Sequence, residues 1–195
     1  MFAVGHMSVA YLLTRGLKRG RWQSMSMPLV WASSLLPDLD LLIPGINHMG
    51  PTHSIIFAIA AFLPLFLYKG KEVTPYFLGY ASHTVLGDLI TNRGVWFLWP
   101  LTQRRFEVPL PFTCKHTFST NLELALFGLF FLVFIITKDY ASELYSSGMR
   151  PLSLIPFIAL LVPVVFGFPI TVPLRLVPPH LVFMAAVLLP LRPRT

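Results

Sequence analysis

The chain consists of long apolar runs separated by short polar connectors. Seven runs are apolar enough to form helices in a membrane. Several are shorter than the roughly 20 residues that cross a bilayer upright, so we expect some half-spans or helices embedded in protein. The last two are rich in proline, which predicts kinked helices or one irregular hairpin. The runs cover residues 2–14, 28–44, 53–68, 74–91, 120–137, 151–170 and 176–191.

These runs predict the fold class. We expect an all-α protein, a polytopic transmembrane helical bundle of six or seven spans, with residues 1–195 forming a single integral membrane domain. The composition agrees, because 55% of the residues are hydrophobic, only 12% are charged and the mean hydropathy is +0.69. Soluble domains carry roughly 25% charged residues, so a soluble domain would lack half of its usual surface charge.

Lysine and arginine predict the orientation and argue against nucleic acid. The net charge is +7, but the basic residues lie in short connectors instead of one stripe, so we expect no nucleic-acid partner. If the spans alternate, ten of the 15 Lys and Arg residues fall on one side, which the positive-inside rule assigns to the cytoplasm. We therefore expect a multi-pass membrane protein with its amino terminus outside.

Polar side chains near or inside the apolar runs are the main clue to function. Asp38 and Asp40 lie inside the second run, although a carboxylate at the centre of a membrane helix costs about 2.5–3.5 kcal/mol. Such residues usually face a wet cavity, a counter-charge or a metal. On the predicted topology, polar residues from distant runs meet at one membrane face, the extracytoplasmic one. These residues are His6, Asp38, Asp40, His48, His53, His83, Asp88, Asn121 and Glu123.

The chemistry of this set favours a metal site. It offers imidazoles and carboxylates without a thiolate cage, because Cys114 is the single cysteine. Such ligands suit zinc, manganese, magnesium or iron, with one or two ions in a site. Two ions about 3.5–4 Å apart could be bridged by Asp38 or Asp40 and activate a water molecule. The charge of the ion would also offset that of the buried acids.

Helical geometry places conditions on two residue pairs. Asp38 and Asp40 point about 200° apart on an ideal helix, but a break or a helix start at Pro37 could turn both inward. His83 and Asp88 point about 140° apart, which a π-bulge near Gly87, or separate roles as ligand and supporting partner, would reconcile. Small residues on the same face let this run approach a neighbour closely. They are Gly79 and Gly87, which share a face with His83.

Each residue also has a purely structural interpretation. A single histidine is often an interfacial or packed hydrogen-bond donor, and we place His116 and His180 in that class. Asp38 and Asp40 could cap a helix after a break. Thr120 and Glu123 form a capping-box pattern for the fifth run. Further structural candidates are Thr52 and Ser54 as caps of the third run, and Trp22, Trp31, Trp96 and Trp99 as interface anchors.

Short motifs occur in a fixed order along the first two thirds of the chain. They are Gly5-His6, Leu36-Pro37-Asp38-Leu39-Asp40, His48-x-Gly50, Thr52-His53-Ser54, Ser82-His83, Gly87-Asp88-Leu89-Ile90-Thr91 and Trp99-Pro100. Over about residues 1–125 this order resembles the YdjM-like family of inner-membrane-associated, metal-dependent hydrolases of bacteria and archaea. The resemblance implies a multi-pass membrane protein with a His/Asp metal centre at His6, Asp38, Asp40, His48, His53, His83 and Asp88.

Two positions depart from the family pattern. Many relatives have an arginine where Met49 stands, and many place the histidine and aspartate of the fourth run four residues apart instead of five. The order of the ligands is distantly similar to that of zinc-dependent phospholipase C. This similarity implies phosphoester substrates.

Together, these observations favour a metal-dependent hydrolase of a phospholipid or lipid-linked phosphoester, with the lipid bilayer as its surroundings. Zinc is the favoured ion, with manganese and magnesium as alternatives and one or two ions per site. His48 is a further ligand or the general acid, and Asp38 and Asp88 take part in catalysis. The expected metal ligands are His6, Asp38, Asp40, His53, His83 and Asp88.

Two other functions use the same residues. A transporter or channel for metal ions or protons would use the cluster as a transit site and would need ligands in both halves of the membrane. The inner halves of the runs carry few ionisable groups, which favours the enzyme. A membrane scaffold with a structural metal is the third possibility, and chelation would then unfold the protein.

Overall fold

A computed structural model describes residues 1–18, 25–91, 94–108, 115–140 and 154–188, and this part of the chain is helical. It has no strand, and its one isolated bridge joins Val95 to Phe106 in the connector after the fourth apolar run. The predicted all-α class is therefore confirmed. The α-helices are α1 (Ala3–Arg15), α2 (Met27–Leu35), α3 (Ile55–Lys69), α4 (Thr74–Ser82), α5 (Lys115–Ile136), α6 (Leu154–Phe166) and α7 (Val177–Leu188).

Helix α1 lies at the centre of the bundle. It is buried on nearly every side and packs against α2, α4 and α5. A helix that is apolar all round is expected in such a position. The core beside it is aromatic, because Phe130 packs edge-on against Tyr11 and stacks on Phe183 at a centroid distance of 4.3 Å. Trp31 is fully buried in the same core, so its assignment as an interface anchor was wrong.

The close approach predicted for the fourth run occurs at Gly79 and Gly87. A side chain on Gly79 would place its Cβ 2.9 Å from the carbonyl oxygen of Val30 in α2. Gly87 has the same relation to His6 in α1, where the added Cβ would lie 2.4 Å from the ring. Small residues therefore let this run pack directly against two neighbouring helices.

The outer helices expose apolar side chains. One helix within the described ranges, Phe118–Ile136, is long and apolar enough to cross a membrane, with 19 residues. Leu154–Phe166 and Leu174–Leu188 are shorter apolar helices. Large exposed apolar residues on α3 and α5 include Leu63, Leu67 and Leu132. Water does not favour such a surface, whereas hydrocarbon does.

Two expectations about helix ends are decided by the structure. Ser54 does cap α3, since its hydroxyl oxygen accepts hydrogen bonds from the backbone N–H groups of Ile56 and Phe57. The capping box at the fifth run was wrong, because α5 already begins at Lys115. Glu123 instead accepts a hydrogen bond from the backbone N–H of Phe2 at 2.9 Å, which satisfies a free donor at the start of α1.

Candidate metal centre

The structure brings the seven predicted His and Asp residues into one cluster. At its centre, the Nε2 atoms of His53 and His83 lie 3.2 Å apart. An oxygen of Asp38 lies 3.5 Å from the His53 Nε2 and 3.4 Å from the His83 Nε2. An oxygen of Asp88 lies 3.4 Å and 3.2 Å from the same two nitrogens. We call these four groups the central cluster, in which each of the two imidazole nitrogens lies within 3.5 Å of both carboxylate oxygens.

The two aspartates of the second run reach the cluster through a change of helix type. Helix α2 ends at Leu35 and the chain continues as a 3₁₀-helix, Leu36–Leu42, with Pro37 near its start. Proline lacks the N–H that an α-helix would need there. The tighter winding places Asp38 and Asp40 at opposite ends of the His53 ring. Asp38 faces Nε2, whereas Asp40 Oδ2 lies 3.3 Å from Nδ1.

His83 and Asp88 meet because the backbone between them is a π-helix. The segment His83–Asp88 directly continues α4, and the N–H of Leu89 bonds to the carbonyl of Thr84 five residues earlier at 3.0 Å. The wider turn brings residues five apart onto the same side. The predicted π-bulge near Gly87 is thus confirmed, and it explains how the five-residue spacing serves one site.

The hydrogen-bond partner of His83 assigns its tautomer. Its Nδ1 lies 2.7 Å from the backbone carbonyl oxygen of Ser34. A carbonyl only accepts, so Nδ1 carries the proton and donates it. The neutral ring therefore directs the lone pair of Nε2 at the central cluster. Second partners of this kind commonly hold metal-binding histidines in place.

His53 is held in the same way by side chains. The hydroxyl of Thr52 donates to Asp40 Oδ2 at 2.9 Å and lies 3.1 Å from His53 Nδ1. With its proton given to Asp40, the hydroxyl accepts from Nδ1, so Nδ1 of His53 is also protonated. The Nε2 lone pair of His53 then points at the lone pair of His83. In these neutral tautomers the two Nε2 atoms and the two carboxylate oxygens are all acceptors, so a proton or a metal ion is needed between them.

Asp40 links His53 to His48. Its Oδ1 accepts a hydrogen bond from His48 Nδ1 at 2.9 Å. Its Oδ2 accepts one from the Thr52 hydroxyl and lies 3.3 Å from His53 Nδ1. Asp40 is buried, and both of its oxygens are occupied by protein partners. Its geometry is that of a residue that orients two imidazoles.

His48 stands on a turn that requires glycine. The N–H of Gly50 bonds to the carbonyl of Asn47 at 3.0 Å, and a Cβ on Gly50 would lie 2.5 Å from that oxygen. Met49 has φ of 64°, in the left-handed region, and its carbonyl accepts from the N–H of Trp96. The connector 94–108 thereby fixes the loop from which His48 extends, which gives the His-x-Gly motif its structural reason.

His6 lies against the other side of His83. The two rings stack at a centroid distance of 3.6 Å and an interplanar angle of 7°. Its position depends on Gly87, since any side chain there would overlap the ring. Both ring nitrogens of His6 are buried without a hydrogen-bond partner, and Nε2 lies 3.8 Å from Asp88 Oδ1. Buried unsatisfied polar groups are rare in native proteins, so these two nitrogens suit a water molecule or an ion as partner.

The cluster is closed on most sides. His6, His53, His83 and Asp88 are buried, whereas the side chains of Asp38 and His48 are 25% and 28% exposed. A substrate or solvent molecule therefore reaches the cluster past these two residues.

Three subsets of these residues could hold a metal ion, since in each the ligand atoms lie within 4.8 Å of one another. The first subset uses His6, the second uses His48, and the third consists of His53, His83 and Asp88. Asp38 and His83 complete the first subset, and Asp38 and His53 complete the second. The subsets are His6–Asp38–His83, Asp38–His48–His53 and His53–His83–Asp88.

Sequence reasoning missed the supporting partners. The Ser34 carbonyl and the Thr52 hydroxyl set the two tautomers, and Tyr80 donates to the Thr52 carbonyl at 2.6 Å. Of these partners, only Thr52 could have been found from the sequence, because it directly precedes His53, but we interpreted it as a helix cap. His116 and the side chain of Lys115 lie outside the residues whose side chains are described, and Arg93 and Cys114 lie outside the described ranges.

Comparisons with known proteins agree with the motif order. A family model described as YdjM inner membrane protein matches residues 1–167, which extends through α6. Two curated proteins called inner membrane protein YdjM, from Escherichia coli (strain K12) and Shigella flexneri, are 31% identical to this chain over 121 residues. The match covers 50% of this chain and 60% of the length of each relative. No solved structure is significantly similar to the chain.

Proposed function

Because the chain belongs to the family of YdjM inner membrane proteins, we propose that it is a membrane-embedded, metal-dependent hydrolase of phospholipids or lipid-linked phosphoesters. The predicted family is thereby confirmed, and the membrane location follows from it. The reaction, the ion and the substrate are inferred from the cluster.

One observation carries the proposal. Four acceptor atoms, the Nε2 atoms of His53 and His83 and one oxygen each of Asp38 and Asp88, lie 3.2–3.5 Å from one another in five measured pairs. Lone pairs repel at such distances unless a proton or a metal ion lies between them, and this donor set is one that binds metal ions. Tetrahedral zinc with ligands at about 2.0–2.1 Å requires ligand atoms about 3.3 Å apart. The spacing and the donor types support zinc, while manganese and magnesium remain alternatives for a carboxylate-rich site.

When bound, such an ion lowers the pKa of a coordinated water to near neutrality and polarises a phosphoryl oxygen. His53, His83, Asp38 and Asp88 are the residues that would hold it. Asp38 is the partly exposed member of this set, so the side toward Asp38 is where a water and a substrate fit. We assign Asp40, expected from the sequence to be a ligand, the role of orienting His48 and His53.

His48 is suited to move a proton. Asp40 accepts the hydrogen bond of its Nδ1, so the doubly protonated ring would donate from Nε2 to a leaving group. A carboxylate behind an imidazole stabilises the protonated ring, as the buried aspartate of a catalytic triad does. The partial exposure of His48 gives it access to the substrate.

A second ion is supported by His6. Asp88 Oδ2 faces the central cluster, whereas Oδ1 lies 3.4 Å from the amino-terminal nitrogen of Met1 and 3.8 Å from His6 Nε2, so His6 and Asp88 would hold a second ion. The two unpartnered nitrogens of His6 would gain a ligand there. From the distribution of Lys and Arg, we place the centre on the extracytoplasmic side.

The test combines metal analysis with turnover. Wild-type protein purified in lipid nanodiscs should carry about one or two equivalents of zinc and hydrolyse members of a phospholipid and lipid-phosphate panel. His53→Ala should lose metal and turnover while still inserting into membranes, as measured by flotation of membrane vesicles. Ala60→Trp, on the exposed face of α3, is the control and should behave like the wild type.

Two results would overturn the proposal. Wild-type turnover by His53→Ala would remove the metal mechanism. Metal or proton flux through proteoliposomes, with no hydrolysis of any panel member, would favour a transit site instead.

A further inference from the structure

An apolar cavity of ≈ 160 Å³ lies directly against the central cluster. Its walls come from residues 1–3, from the end of α2 and the 3₁₀-helix after it, and from α6, α7 and the segment between them. Asp38 belongs both to this wall and to the cluster. The cavity and the candidate metal centre therefore share one carboxylate. Representative wall residues are Leu42, Ile158, Val162 and Ile170.

The polar side chains of the wall do not suit a phosphate. They are Asp38 and His180. His180 donates from Nδ1 to the backbone carbonyl of Leu176 at 2.7 Å, so its other nitrogen is an acceptor. A carboxylate and an acceptor nitrogen offer an anionic headgroup no donor, whereas the remaining side chains of the wall offer apolar contacts.

Hydrocarbon is the chemistry that fits this wall. Water is poorly held where few polar partners are available, and a polar ligand would leave its hydrogen bonds unsatisfied. For a membrane protein, the available hydrocarbon is the acyl chain of a lipid. A lipid whose phosphoester sits at the cluster has its chain attached a few bonds away, next to Asp38.

We propose that this cavity binds the first segment of the hydrocarbon chain of a lipid phosphoester. The inference rests on the proposed function and deepens it. It gives residues 154–188 a role that the motifs of residues 1–125 do not suggest: they select lipid over water-soluble phosphoesters. His180 is the packed hydrogen-bond donor that the sequence predicts, and it also lines this cavity.

The first experiment detects the bound hydrocarbon chain of the lipid without relying on turnover. Phosphatidylglycerol with a diazirine in one acyl chain is irradiated with the full-length protein in nanodiscs, with and without chelator. Leu35 lines the cavity and is only 5% exposed, so lipid at the outer surface does not reach it. We expect label on Leu35, located by peptide mass spectrometry, in both conditions.

A matched pair of variants on α6 closes the cavity or leaves it open. Val162→Trp fills it, whereas Val165→Trp makes the same change at a position that is 58% exposed and outside the wall. We expect Val162→Trp to lose the Leu35 label and Val165→Trp to keep it. If Val162→Trp fails to fold, Ile158→Trp replaces it, because Ile158 lines the cavity and is 54% exposed.

Turnover then separates chain binding from chemistry. Val162→Trp should raise KM for long-chain lipid phosphoesters by about tenfold or more, as expected for a blocked apolar pocket. Its kcat/KM for bis(p-nitrophenyl) phosphate, which has no chain, should match that of Val165→Trp. Equal effects on both substrates would contradict selection by the cavity.

The two proposals fail differently. Absence of label on Leu35 in the wild type overturns the chain-binding cavity even if the protein is a hydrolase. Label on Leu35 that Val162→Trp removes, in a protein that hydrolyses nothing, retains a lipid site and overturns the proposed reaction.

Discussion

Asp88 Oδ2 lies 3.2 Å from His83 Nε2, although the two residues are five apart and would diverge on an α-helix. The wider turn of the π-helix His83–Asp88 brings the two side chains together. A π-helix is rare and often marks a functional site, because its irregular turn serves a geometry that the α-helix cannot supply. The five-residue spacing, a departure from the family pattern, is thus compatible with two ligands of one ion.

Gly87→Ala should displace His6. The new Cβ would lie 2.4 Å from the ring, so His6 must leave its stacked position on His83. We expect a loss of about 1–3 kcal/mol in stability from overpacking and, where two ions bind, the loss of one. Thermal unfolding and metal stoichiometry measure both effects.

The matched control for this variant is Gly128→Ala. Gly128 lies inside α5, and a Cβ there meets nothing within 4 Å. Alanine favours helix by about 1 kcal/mol over glycine, so stability should be unchanged or slightly higher. If both variants retained full metal content and stability, His6 would not depend on Gly87.

Asp40→Asn tests the orienting role of Asp40. The amide would disturb the contacts to Nδ1 of both His48 and His53, and we expect metal affinity or turnover to fall by about 10–100-fold. Thr52→Val keeps the carboxylate and should have a smaller effect. Competition with a chromogenic chelator measures affinity. Complete loss of metal in Asp40→Asn would show that Asp40 is itself a ligand.

His48→Gln distinguishes a proton donor from a metal ligand. As a general acid, His48 contributes about 10²–10⁴-fold to turnover, so the variant should be slow while keeping its metal. An ester of p-nitrophenol, whose leaving group needs no proton, should lose much less activity. Loss of metal in this variant would instead assign His48 to the ligand set with Asp38 and His53.

Removal of metal should destabilise the wild-type protein. Without a metal ion or a proton, the Nε2 atoms of His53 and His83 and the oxygens of Asp38 and Asp88 would form five acceptor–acceptor contacts of 3.2–3.5 Å. A ligand present at 1,000 times its Kd contributes about 4.1 kcal/mol to the folded state. Addition of zinc to chelated protein should therefore raise the melting temperature of the wild type. The same addition should leave His53→Ala unchanged, and an equal shift in both proteins would contradict binding at this cluster.

The apolar runs were sufficient to predict most helices. The first run, 2–14, became α1 (Ala3–Arg15), and the third, 53–68, became α3 (Ile55–Lys69), each within a few residues. This success has a simple reason, since a long apolar stretch satisfies its backbone only as a helix when water is absent. Part of the sixth run and the end of the seventh lie outside the described residues.

The candidate site was visible because charge inside apolar sequence is costly. Asp38, Asp40 and Asp88 had to find partners, and the imidazoles on other runs were the partners available. The sequence could not show which of these residues are metal ligands and which orient a ligand. Whether a carboxylate faces Nδ1 or Nε2 of His53 depends on the direction of side chains from three segments at once.

The sequence by itself determined that this is a helical membrane protein with buried imidazoles and carboxylates, because hydrophobicity and the cost of burying charge are properties of residue type. Only the tertiary structure decided which atoms meet. The 3₁₀-helix that turns Asp38 and Asp40 around His53, and the cavity that joins Asp38 to α6, both depend on how distant segments pack. Packing is a property of the whole chain, so the sequence predicted a break at Pro37 but not which nitrogen of His53 each aspartate would face.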